Sequence, residues 1–178
     1  MLALLDATEN AAHPDDVARR RDALVAARTA LDADTPPALR TALAETLGAT
    51  LAEACRAGAE PAGAEGQARD RARGLLYAAA AHHRAEGDGP ALSRALRRLA
   101  ALERDVGDKA ALGRAVTLAA GALTAAPRDS AERAKALLAA GLVDLARETP
   151  HRARRRLSSA MHLSRKLGDA DGTARAAA

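Results

Sequence analysis

A helical unit that occurs twice constrains this chain more than any other feature. Residues 16–52, DVARRRDALVAARTALDADTPPALRTALAETLGATLA, are echoed by 108–145, DKAALGRAVTLAAGALTAAPRDSAERAKALLAAGLVDL. In each copy an Ala/Leu helix ends at a proline-containing turn, and a second helix follows with Gly48 or Gly141 near its middle. A chain that repeats one helix pair predicts a stack, in which each pair buries its apolar face against its neighbours.

Composition agrees. Phe and Trp are absent and Tyr77 is the sole aromatic, so a core must be built from Leu, Val and Ala. Alanine has the highest helix propensity and lets helix axes approach closely. There is no Ile, and β-branched residues are sparse, which leaves strands little to work with. The expected fold class is all-α: a right-handed α-solenoid of antiparallel helix pairs, about seven or eight helices in all. At 178 residues it fits one domain or one continuous array, which buries roughly 70% of its unfolded surface.

Apolar residues recur at three- and four-residue spacing, with breakers where helices should end. The pattern predicts helices at about 14–33, 37–57, 67–86, 90–105, 109–126, 129–148 and 150–167, with another starting at 170 and a leading turn at Leu2, Leu4 and Leu5. Gly-Asp pairs (Gly87-Asp88, Gly107-Asp108, Gly168-Asp169) read as a left-handed helix end followed by a cap for the next helix. Residues 57–67, AGAEPAGAEGQ, have no large apolar side chain and read as a flexible surface loop. A domain boundary there is the less favoured reading, because each half alone would have a small core.

The best-formed unit, 130–169, resembles a tetratricopeptide repeat of the type common in bacterial regulators. Its first helix carries Leu137, Leu138 and the small Gly141, where the partner helix would cross closely. Its second carries Ala153, Leu157 and Ala160, and the unit closes on Leu167-Gly168-Asp169. Residues 92–108 (Leu92, Leu96, Leu99, Leu102, then Val106-Gly107-Asp108) form a weaker version of the second helix. The units around 109–148 also look like helical arrays attached to caspase-like peptidase domains in actinobacteria, although no peptidase portion is present. The bulky aromatics usual in such repeats are missing, and the helices within 67–105 fit either role.

In arrays of this kind the first helix of each unit lines a concave surface. The resemblance therefore implies a groove at Ala42, Glu45, Ala49 and Ala52 in the early unit and at Lys135, Leu138, Leu142 and Leu145 in the late one. Tyr77 joins them if its helix faces the same way. Arrays that clamp a C-terminal carboxylate use Lys, Arg and Asn at these places, whereas Ala and Leu here point to an apolar helix or peptide. The other reading is that these Leu residues are simply core.

Charge is unevenly placed: residues 1–60 carry net −4 and residues 61–178 net +8, within a total of +4. Arg152, Arg155, Arg156 and Lys166 share one side of a helix and form a basic face suited to phosphates or an acidic peptide. The plainer alternative, a solvated outer face whose stems cover apolar surface, is preferred. Arg greatly outnumbers Lys, and Ala is frequent; that bias fits a GC-rich bacterial genome, so Arg count alone is no sign of phosphate binding. Nucleic acid is accordingly the second-ranked partner, and single strands rank lowest for want of aromatic stacking platforms. Arg19-Arg20-Arg21 beside Asp15, Asp16 and Asp22 is explained by local pairing.

No enzyme signature emerges. His82 and Glu86 sit at a four-residue spacing that metals use, but nothing indicates a further ligand. Cys55 lies in an Ala-rich helix without a base, and the serines lack any nucleophile-elbow context. No cofactor is expected. A lone cysteine fits a reducing compartment, and neither a secretory signal nor a membrane span is evident, so a cytoplasmic location is expected. The final residues read as the opening of another first helix. An array that stops there predicts an exposed apolar edge, or a partner on it, a second copy among the candidates. A chain cut from a longer protein would give the same picture.

Overall fold

The structure, a computed structural model, describes residues 13–31, 34–60 and 63–177. The described residues form eight α-helices and no strand: α1 (Pro14–Thr29), α2 (Pro37–Ala57), α3 (Glu65–Ala85), α4 (Gly89–Val106), α5 (Lys109–Ala125), α6 (Ala131–Ala146), α7 (Pro150–Lys166) and α8 (Ala170–Ala177). The chain is therefore all-α, and every helix expected from the sequence is present. The leading turn at Leu2, Leu4 and Leu5 lies outside the described residues. The helix expected to reach residue 33 stops at Thr29, whose hydroxyl donates back to the carbonyls of Val25 (3.1 Å) and Ala26 (2.8 Å). Chain contacts group into two compact units, Met1–Ala79 and Ala80–Ala178.

The Gly-Asp pairs act as their sequence implies. Gly87, Gly107 and Gly168 take φ between 70° and 81°, a backbone that side chains resist, and each ends a helix. The Asp that follows caps the next helix. Asp88 accepts from the Ala91 amide at 3.0 Å, Asp108 from Ala111 at 2.8 Å and Asp169 from Gly172 at 2.8 Å.

In the first unit, Leu43, Leu47, Leu51 and Ala54 of α2 are buried, as are Ala72, Leu75 and Leu76 of α3. Gly48 sits where these helices cross: a Cβ there would stand 2.9 Å from Leu76 Cγ and 3.2 Å from the Ala72 carbonyl. The echo between the repeats is unequal, since α1 fully buries only Val17 whereas its counterpart α5 buries Ala111, Ala115, Leu118, Ala119 and Ala122. Ion pairs join α1 to its unit instead. Arg20 reaches Glu53 of α2 at 3.2 Å, and Arg21 reaches Glu60 at 3.0 Å and the Ala59 carbonyl at 3.4 Å. This corrects two expectations. Of the Arg triplet only Arg19, paired with Asp16, is satisfied wholly within its own helix. The 57–67 segment is also not free throughout, because Glu60 is almost enclosed under Arg21 and α3 already begins at Glu65.

In the second unit α4 packs on α5 and α6, and α6 packs on α5, α7 and α8. Small residues carry the interfaces: Ala95, Ala100, Ala115, Ala119, Ala136, Ala140, Ala153 and Ala160 are all buried. Gly141 occupies the close crossing expected of it, for a Cβ there would meet Leu157 Cδ2 at 2.7 Å. Two carboxylates are fully buried among these helices. Glu103 of α4 accepts two bonds from the Arg114 guanidinium of α5 (3.0 and 2.7 Å), and Asp144 of α6 accepts one from Arg156 of α7 (2.7 Å). Each ties one helix to the helix that follows it.

Candidate functional site

The second unit carries an open, mostly apolar groove of about 510 Å³ between the end of α6, one face of α7 and the end of α8. Its lining is Leu145, Pro150, Arg154, Leu157, Ser158, Met161, Ala176 and Ala177. The α7 members fall at i, i+4, i+7, i+8 and i+11, a single stripe of one helix. Leu145 is 49% exposed, unusual for a leucine in a helix whose neighbouring Val143 is 1% exposed. Water against Leu145, Leu157 and Met161 is released when an apolar ligand covers them, at about 25 cal/mol per Å².

No protein-family model, curated protein or solved structure matches the chain. The site must be read from its own chemistry.

Of the residues expected to form a groove, Leu145 alone borders this one. Leu138 and Leu142 are half-buried, as are Ala42 and Ala49, while Glu45 is 3% exposed and Ala52 is buried within the packed face of α2. Lys135 lies 3.9 Å from Glu132, which also holds Arg97 of α4 at 2.6 Å. Tyr77 is exposed. Of these first-helix positions, Glu45 and Ala52 are buried, Lys135 faces Glu132, four are half-buried, and Tyr77 and Leu145 are open to solvent.

The expected basic face is also redistributed. Arg156 turns toward α6, pairing with Asp144 and donating to the Ala140 carbonyl at 3.3 Å. Arg152 lies 4.0 Å from the other Asp144 oxygen, and Lys166 binds Asp129 at 2.9 Å. Only Arg155 of that set stays exposed with no acid holding it among the described residues. Helical periodicity puts the groove stripe on the opposite side of α7, with Arg154 in it and Arg165 one turn beyond Met161. Leu167 is 41% exposed at the C-cap of α7, where the chain leaves the helix for Gly168.

The described residues contain no group of three or more His, Cys, Asp or Glu placed to hold a metal ion. His82 and His83 stack edge to face, with ring centroids 5.9 Å apart. Burial, and secondarily Glu60, push the Cys55 thiol above its ordinary pKa, which disfavours the thiolate that nucleophilic chemistry needs. Its Sγ contacts the Glu65 carbonyl at 3.7 Å. No described helix is long and apolar enough to cross a membrane.

The groove could have been found from the sequence only in part. Leu157 and Met161 on one α7 stripe are a visible signal. That the far wall is Ala176 and Ala177 depends on how α8 folds back, which no local pattern encodes.

Proposed function

We propose that this chain is a non-catalytic interaction scaffold, a right-handed tetratricopeptide-like stack of α-hairpins that binds a protein or peptide partner through the α6–α7–α8 groove. The observation that carries this is the groove itself: an open apolar channel with a half-exposed leucine, walled by three helices that pack on one another. What supports the stacked arrangement is that alternate helices touch, α4 with α6 and α6 with α8, besides their sequence neighbours. Binding here works by shape and apolar contact, with arginines adding electrostatic selection.

Leu145→Ser and Met161→Ser test the proposal. Both side chains line the groove, so the variants keep the fold and lose capture of any partner that the wild-type chain retains on a column. Capture that both variants leave intact sinks this assignment.

A further inference from the structure

We infer, building on the docking proposal above, that the occupant of the groove is an amphipathic α-helix carrying acidic residues beside its apolar face. Length and shape come first. The stripe from Pro150 to Met161 runs along α7 for about 16 Å, roughly three helical turns. The opposite wall is Ala176 and Ala177, small enough for a bulky apolar side chain to seat between α7 and α8. The groove is walled by helices, so it offers a guest no strand edge. A guest must satisfy its own backbone, and in a trough of this length a helix does so.

Charge then selects among helices. Residues 145–177 hold eight Arg and Lys against three Asp and Glu. Asp169 caps α8, which leaves Glu148 and Asp171 as the other acids nearby. Arg152, Arg156 and Lys166 are occupied by Asp144 and Asp129. Arg147, Arg154 and Arg165 are exposed, and among the described residues no acid holds any of them. Arg154 is in the lining, and Arg165 continues the stripe one turn beyond Met161. An apolar floor between guanidinium groups fits leucines flanked by carboxylates, which accept bidentate bonds from arginine. A nucleic-acid duplex would leave the apolar floor uncovered.

The test uses the full chain and three fluorescently labelled helical peptides of about three to four turns. One has leucines at i, i+4 and i+7 flanked by glutamates, the second has lysines for the glutamates, and the third has the first composition scrambled off helical spacing. The acidic amphipathic peptide is expected to bind at least about tenfold tighter than the lysine peptide, weakening several-fold between about 50 and 300 mM salt. Arg154→Glu/Arg165→Glu should reverse that preference, and Leu145→Ser should weaken both amphipathic peptides. Equal binding of the glutamate and lysine peptides, both sensitive to Leu145→Ser, overturns the acidic preference and leaves the docking groove standing. Binding of no peptide, or binding indifferent to Leu145→Ser, overturns the groove itself. Binding of a DNA duplex lost in Arg154→Glu/Arg165→Glu and untouched by Leu145→Ser would replace the helix with nucleic acid as the ligand.

Discussion

Asp144 is the residue whose loss the second unit should feel most. Its carboxylate is fully buried, one oxygen bonded to Arg156 and the other without a hydrogen bond. Arg156 is itself mostly covered, at 24% exposure. Asp144→Ala removes the counter-charge and strands a half-buried guanidinium, and the expected cost is about 2–4 kcal/mol, at or below the range for breaking a buried pair. Asp144→Leu combined with Arg156→Met removes both charges together and should recover most of that loss in urea denaturation. Substituting Arg156 would weaken the fold as well as any phosphate contact, so Arg155 and Arg154 are the cleaner probes. At the surface, the Lys166 ammonium holds the Asp129 carboxyl below its ordinary pKa of 3.8. A lowered folded-state value means that this pair stabilises the protein above the unfolded pKa and ceases to do so as pH falls through the folded one. Lys166→Met should therefore be less stable than wild type at neutral pH and indistinguishable from it in strong acid, by thermal melts across that range.

At the helix–helix crossings two similar glycines should behave differently. At Gly48 the atoms a methyl would meet include the Ala72 carbonyl and the fully buried Leu76, neither free to move. At Gly141 the obstacle is Leu157, half-exposed at the groove and able to swing outward. Gly48→Ala is expected to destabilise by about 1–3 kcal/mol and Gly141→Ala by less, with the second also narrowing the groove. Gly113 sits exposed in α5 with nothing within 4 Å of an added Cβ, so Gly113→Ala should stabilise by about 0.5–1 kcal/mol. Chemical denaturation of the three variants orders them. Element boundaries were largely legible because the chain writes them locally: each Gly-Asp pair places a left-handed turn and a cap within two residues. The end of α1 was less legible, since Asp32-Ala33 carries no comparable stop and the nearest Pro comes only at Pro36. Nor could sequence show that α1 would hold on through Arg20 and Arg21, because helical spacing reveals partners three or four residues away and Glu53 and Glu60 lie more than thirty residues distant.

Across the whole molecule, the division of charge into an acidic front and a basic remainder was plain from composition, but not which arginines stay available. That depends on tertiary pairing: the buried Asp144 consumes Arg156 and draws Arg152, whereas Arg154, two residues along, faces the groove. The periodicity that revealed α7 does not record which neighbour covers each of its sides. If a helix seats on the α7 stripe, protection against amide hydrogen exchange should rise in α7 and α8, where α8 has only α6 and α7 against it among the described residues. A helix of eight residues such as α8 opens readily, and a bound ligand suppresses that opening in proportion to its occupancy. Amides of α2 should exchange at unchanged rates, since its buried face is held by Leu47, Leu51 and Ala54 and contributes nothing to the groove. Hydrogen-exchange mass spectrometry with the acidic amphipathic peptide, at saturating and zero concentration, makes the comparison directly. Protection confined to α7–α8 places the contact on the proposed stripe. Protection centred on α2 would return the binding surface to the first-helix positions Ala42 and Ala49.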